Sequence, residues 1–220
     1  MLYVKPLDGR RLLVELLAAQ VGLAMGVPCA RPFFVLAEPS HMGLPGTDLM
    51  HAFGSEMAGH PAIARPWMDT EMLLDMLRES KLLDIASAFD EWIANSDRHH
   101  KQIIVGGSPG VVFIDHEQAM GQECKPLTSV ANWLLDQQKA LLDVAQRQSL
   151  LKLVRAQETN VAGIEFGSET PGLEMIANGG DILEQLVSFL NARRGVLDRL
   201  LCSRLVPEQL DIESTDRGAL

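Results

Sequence analysis

Cysteine is scarce in this chain, and its three copies, Cys29, Cys124 and Cys202, lie far apart with no C-x-x-C pair. That pattern excludes a disulfide framework and a zinc ribbon, and it points to a reducing, cytoplasmic setting. No secretory signal is visible either: Met1-Leu2-Tyr3-Val4-Lys5-Pro6 has no basic stretch followed by an apolar core and a small-residue cleavage site. The most apolar run, Leu12 to Val27, is broken by Glu15 and Gln20 and is too short to cross a bilayer, so no membrane partner is expected. Positive charge is in deficit, with 19 Lys+Arg against 29 Asp+Glu and a net charge of -10. Such a surface repels nucleic acid at long range, and no direct nucleic-acid binding is expected. Internal repeats, low-complexity segments and the glycine-rich string G-x-G-x-x-G are absent too.

The 220 residues make one moderate domain, or one domain with a thin second lobe, able to bury roughly 70% of its unfolded surface. The order of elements begins with a short strand over Leu2 to Lys5, ended by Pro6, and a turn at Leu7-Asp8-Gly9. Leu13, Leu16, Leu17, Val21 and Leu23 then recur near helical spacing from Arg10 to Met25, with Gly26 and Pro28 as stop signals. A strand at Phe33 to Ala37 follows. The stretch from His41 to Pro66 has no sustained period and reads as a connecting region with at most short helices. Its methionines, with Met68, Met72 and Met76, suit plastic packing.

Asp69-Thr70 caps a helix that begins at Glu71, and Leu82 to Ala94 forms a buried helix with Leu82, Ile85, Ala86, Phe89, Trp92 and Ile93 on one face. Two strands, Gln102 to Val105 and Val111 to Asp115, flank the turn Gly106-Gly107-Ser108-Pro109-Gly110. Helices are expected at Ser129 to Leu135, Gln138 to Arg155 and Gly180 to about Leu205, before an acidic, frayed tail at 207–220.

The chemistry gathers at the hairpin. Equal strands going out and back place its open ends side by side, about 5 Å apart, with Asp97 before the first and Asp115 closing the second. Phosphoryl transfer needs a carboxylate to orient an attacking hydroxyl and oxygen ligands for Mg²⁺. A kinase catalytic loop has an Asp, an Asn ligand five residues on, and a second Asp after a hairpin. Asp97 and Gln102 have that spacing, with Gln in place of Asn, and Asp115 has that position.

Other readings of these residues are weaker. Asp97 alone suits a turn or a cap, and Asp115 a strand end bonded to loop amides. Arg98 and Lys101 suit surface charges or partners of acids. His99, His100, His116, Glu117 and Cys124 match no H-E-x-x-H or paired-cysteine spacing for a transition metal, and Ser55 lacks the G-x-S-x-G elbow of a serine hydrolase.

The string Asn95-x-Asp97-Arg98-His99-x-x-Gln102, followed by Phe113-Ile114-Asp115-His116, resembles the catalytic core of HipA-like kinases, a group similar in its core to phosphatidylinositol kinases. The resemblance implies Asp97 as the catalytic carboxylate, His99 as its active-site partner, and Gln102 and Asp115 as magnesium ligands. Val4-Lys5-Pro6, Glu15 and the Gly26-Val27-Pro28 ending are similar to the segment that holds ATP's phosphates by a lysine steadied by an acid, which makes Lys5 and Glu15 the cofactor-binding candidates. Phe53-Gly54-Ser55-Glu56 is also similar to HipA-like sequences, with no role attached.

The expected fold is therefore α+β and kinase-like. A reduced N-terminal lobe at 1–42 precedes a mostly helical C-terminal lobe at 43–206 that carries the hairpin, and a flexible tail follows at 207–220. The expected activity is Mg²⁺/ATP-dependent phosphate transfer to a protein hydroxyl. Two departures temper it: Gln102 is one methylene longer than Asn, and the strands and glycine-rich loop that cover ATP would precede Met1. The alternative is a pseudokinase-like binding module that transfers nothing.

Overall fold

The structure, a computed structural model, describes residues 2–56, 69–106, 110–139, 142–161 and 176–205, without the side chains of 153–161. The tail expected to fray, the centre of the hairpin turn and residues 57–66 of the connecting region lie outside the described residues. The architecture is mixed α+β, with a three-stranded antiparallel sheet and a two-stranded hairpin set against helices. No described helix is long and apolar enough to cross a membrane.

The larger sheet holds β1 (Leu2–Pro6), β2 (Pro32–Ala37) and β3 (Met50–Glu56) in the order β1-β3-β2. Its central strand, β3, falls where the sequence reading expects an irregular connection. Met-His-Ala-Phe-Gly-Ser-Glu contains no β-branched residue and a glycine, so its propensity is low; pairing on both edges is what makes it a strand. The glycine has a packing reason, since a Cβ on Gly54 would lie 2.6 Å from Val35 Cγ2 on the neighbouring strand. Because β3 pairs with β1 and β2, the sheet runs beyond residue 42, where the sequence reading closes the N-terminal lobe.

Helix α1 (Gly9–Met25) is the hub. Asp8 caps it by accepting from Arg11 N at 3.0 Å, and Gly26 ends it with φ 84°, a left-handed turn that glycine takes without strain. Leu12, Leu13, Val14, Leu16, Leu17, Ala18, Ala19 and Val21 are all buried, so the helix is apolar around most of its circumference. It packs on β2 and β3 on the one hand and on helices α3 (Leu82–Trp92), α5 (Val144–Val161) and α6 (Gly179–Arg194) on the other. Each fully buried leucine there contributes about 1.5–3 kcal/mol.

Helix α2 (Thr70–Glu79) starts as expected, with Asp69 accepting from Met72 N at 2.7 Å. Helix α4 (Trp133–Lys139) lies a few residues later than the sequence expectation, and the last long helix divides after Arg194 into α6 and α7 (Leu197–Leu205). The apolar stripe crosses that break, which is why the sequence reads as one helix: Leu186, Leu190, Leu197, Leu200 and Leu201 are all buried.

Candidate functional site

The hairpin consists of β4 (Ile103–Val105) and β5 (Val111–Phe113), in register Ile103↔Phe113 and Val105↔Val111. Two attachments fix its position. Phe113 N donates to Pro28 O at 2.9 Å, tying β5 to the segment that leaves α1. On the other side, α3 ends with Ala94 in the left-handed region at φ 52°, and Asn95 N donates back to Asp90 O at 2.8 Å. This is a Schellman-type stop that turns the chain sharply toward Asp97.

Arg98 is the pin of the loop. Buried at 3% exposure, it makes a bidentate pair with Asp90, Nε to Oδ2 at 2.9 Å and Nη2 to Oδ1 at 3.0 Å. Its Nη1 donates to Ile114 O at 2.8 Å. Burial works against its charge, but the field and hydrogen bond of Asp90 overcome that and raise its pKa above the ordinary value. Arg98 is thus the buried partner of an acid rather than a surface charge, and it couples α3 to the residue before Asp115.

Asp97 is exposed, and Gln102 Nε2 donates to its Oδ2 at 3.0 Å. The Gln102 amide oxygen accepts from His99 N at 3.3 Å, and its backbone carbonyl accepts from Ile114 N at 3.1 Å. One residue therefore touches Asp97 with its side chain and the approach to Asp115 with its backbone. His99 caps the short 3-10 turn His100–Gln102, its ring tilted 48° to that of His100 at 6.1 Å, and among the described residues it makes no hydrogen bond to Asp97.

Asp115 stands two residues beyond β5 with φ 65°, a left-handed conformation that is strained for a residue with a side chain. Lys5 of β1 forms ion pairs with Asp115 and with Glu117. Burial lowers the Lys5 pKa, but the hydrogen bonds and charges of Asp115 and Glu117 outweigh it and leave it raised. The acid expected to steady Lys5 is occupied elsewhere: Glu15 Oε1 lies 3.2 Å from His116 Nδ1, both buried, while Glu15 Oε2 has no hydrogen-bond partner. The described residues thus pair Lys5 with Asp115 and Glu117, and Glu15 with His116.

Of these groups Lys5, Glu15, Asp115 and His116 line a cleft of about 390 Å³ between the larger sheet and the hairpin. Tyr3, Ser55, Glu56 and Lys101 add to its polar lining; Ala19, Phe53, Ile104 and Phe113 supply apolar wall. The volume suits a small ligand. For a divalent cation the available donors are hard oxygens: the carboxylates of Asp97, Asp115 and Glu117 and the amide oxygen of Gln102. Asp115 and Glu117 already converge on one cation, the Lys5 ammonium, so their spacing fits shared coordination. Among the described residues no group of three or more His, Cys, Asp or Glu is arranged to hold a metal ion.

Sequence reasoning misses Glu117 as a member of this site and Asp90 and Glu91 as buried acids, because none stands in a spacing that signals its partner. Glu91 pairs with Arg193, which is wholly buried and donates to the carbonyls of Glu91, Trp92, Pro126 and Thr128 as well. Comparison of the chain with protein-family models, curated proteins and solved structures gave no match.

Proposed function

We propose that the chain is a Mg²⁺/ATP-dependent phosphotransferase of HipA-like kinase type that acts on a protein hydroxyl. The observation that carries the reading is the meeting of Asp97, Gln102 and Asp115 at the open end of one hairpin, beside a cleft that contains Lys5. The substrate class and the kinase-like fold rest on the resemblance of the Asp97–His99 and Phe113–His116 strings.

In this reading the exposed Asp97 orients the acceptor hydroxyl and takes its proton. The hydroxyl oxygen bonds to the γ-phosphorus as the bond to the β,γ-bridging oxygen breaks, and ADP leaves with that electron pair. Lys5 holds phosphate oxygens, and the apolar wall of Phe53 and Ile104 covers the base. Magnesium, held by Asp115 with Gln102 and Glu117, would neutralise charge on the phosphates. Arg98 keeps Asp97 and Asp115 in fixed relation by tying the loop to Ile114 O.

A second reading, a nucleotide-binding module without transfer, is favoured by one feature: the Gln102 amide faces Asp97 with its NH₂ and His99 N with its oxygen, so both ends are already engaged. Thermal unfolding with ATP, with and without Mg²⁺, tests the shared premise. A ligand at about 100 times its Kd stabilises by about 2.7 kcal/mol, or roughly 5–10 °C for a domain of this size. A magnesium-enhanced rise that Asp115→Asn removes supports both readings; no rise at millimolar ATP sinks both.

A further inference from the structure

A second and larger cavity, about 930 Å³, opens between the start of α1, the Ala94–Ser96 loop and the stretch from Glu117 to Val130. Ser96 in its wall precedes Asp97 in the chain, so one end of the cavity reaches the loop that carries this exposed carboxylate. Its volume accommodates several residues of an extended peptide.

Six charged residues line it: Asp8, Arg10, Arg11, Glu117, Glu123 and Lys125. Asp8 accepts from Arg11 N and lies 3.7 Å from the Arg11 guanidinium, and Glu117 is paired with Lys5. Arg10 differs from these. It is half-buried, donates from Nη2 to Met120 O at 2.6 Å, and has no carboxylate partner among the described residues. Burial alone shifts it, pulling its pKa down. In a chain with 29 acidic residues against 19 basic ones, a partly desolvated guanidinium without a carboxylate partner is not a matter of supply: of the acids in this wall, Asp8 serves Arg11, Glu117 serves Lys5, and Glu123 is exposed. An anion brought by a ligand would satisfy the remaining N–H groups and offset the desolvation.

We infer that this cavity is the acceptor groove and that it takes a peptide with a glutamate or aspartate near the reacting serine or threonine, the acidic side chain docking on Arg10. The inference rests on the phosphotransferase reading for the fate of the hydroxyl, but not for the binding. Lys125, exposed on the same wall, adds a second cation for a further acid. The net charge of -10 slows the approach of an acidic peptide, so the preference depends on close contacts, which survive at physiological salt where the Debye length is about 8 Å.

The test uses the full chain and two fluorescein-labelled decapeptide pools centred on serine, one with glutamate at half of the other positions and one with lysine there instead. Fluorescence anisotropy without nucleotide should give tenfold or tighter binding of the glutamate pool, and Arg10→Gln should remove most of that preference. Lys125→Glu, at an exposed position that leaves folding intact, should reduce it further. Equal binding of the two pools, or a preference unchanged in both variants, overturns the groove. Arg10-dependent binding without any phosphate transfer from Mg²⁺/ATP would leave the groove standing and remove the phosphotransferase reading; transfer to both pools at equal rates would do the reverse.

Discussion

At the scale of single residues, the site depends on charges that are buried in pairs. Arg98→Met would leave the buried Asp90 carboxyl without its cation and with only Asn95 as donor, at 3.1 Å, and should cost about 3–5 kcal/mol of stability in chemical unfolding. Lys101→Ala, on an exposed neighbour, should change stability by less than about 0.5 kcal/mol. A second residue gives a pH signature. Burial raises the Asp84 carboxyl above its unfolded value, against the opposing hydrogen bond from Gln138 and charge of Arg78. The folded chain therefore binds this proton more tightly than the unfolded chain. Its contribution favours folding below the unfolded value of about 3.9 and is lost as pH rises through the higher folded value. Asp84→Asn should accordingly gain in stability relative to the parent between pH 4 and pH 7, read from urea midpoints; a constant difference across that range would contradict the assignment. Asp97, Gln102 and Asp115 were readable in the sequence because a five-residue spacing and a hairpin bring them together by local geometry. Glu117 and Arg193 were not, since an ion pair between residues distant in the chain leaves no periodic trace, and Asp90 was not, since its partner Arg98 lies beyond the end of the helix, eight residues on.

At the scale of elements, strong periodicity was legible and weak strands were not. Helix α1 begins one residue from its expected start because Asp8 and Gly26 are caps with direct backbone chemistry. Strand β3 is held by two neighbours rather than by its own residues, so its sequence carries little of the signal. This makes Gly54 a sharp probe. Gly54→Ala would set a methyl against Val35 and Phe33 in the centre of the sheet and should destabilise by about 1–3 kcal/mol. The loss should be partly reversed by adding Val35→Ala, which clears the nearest atom; a lack of coupling between the two would mean that the strand moves instead. The division between α6 and α7 was hidden for the opposite reason. Arg193 anchors the end of α6 to the carbonyls at the end of α3, while the leucine stripe continues past Gly195 as though nothing intervened.

At the scale of the whole molecule, one apolar helix joins a small sheet to a helical body; one cavity lies between the sheet and the hairpin, and the other beside the start of that helix. In the proposed reading the cleft near Lys5 takes the nucleotide and the cavity near Arg10, whose guanidinium has no carboxylate partner among the described residues, takes the acceptor. The loop from Asn95 to Gln102 separates their tasks, with Asp97 exposed at its tip and Arg98 buried beneath it. The overall acidity of the chain disfavours broad electrostatic attraction of anionic partners, so the proposed recognition of an acidic peptide depends on local contacts in its cavity. The most direct measurement of the central claim is transfer of the γ-phosphate of labelled ATP to the glutamate-containing serine pool in the presence of Mg²⁺, compared between the parent chain and Asp97→Asn. Transfer by the parent that falls by about 10²–10⁴ in the variant, with unfolding midpoints alike, is the predicted result. Transfer of equal rate from Asp97→Asn, or none from a parent chain that binds Mg²⁺/ATP, would contradict it.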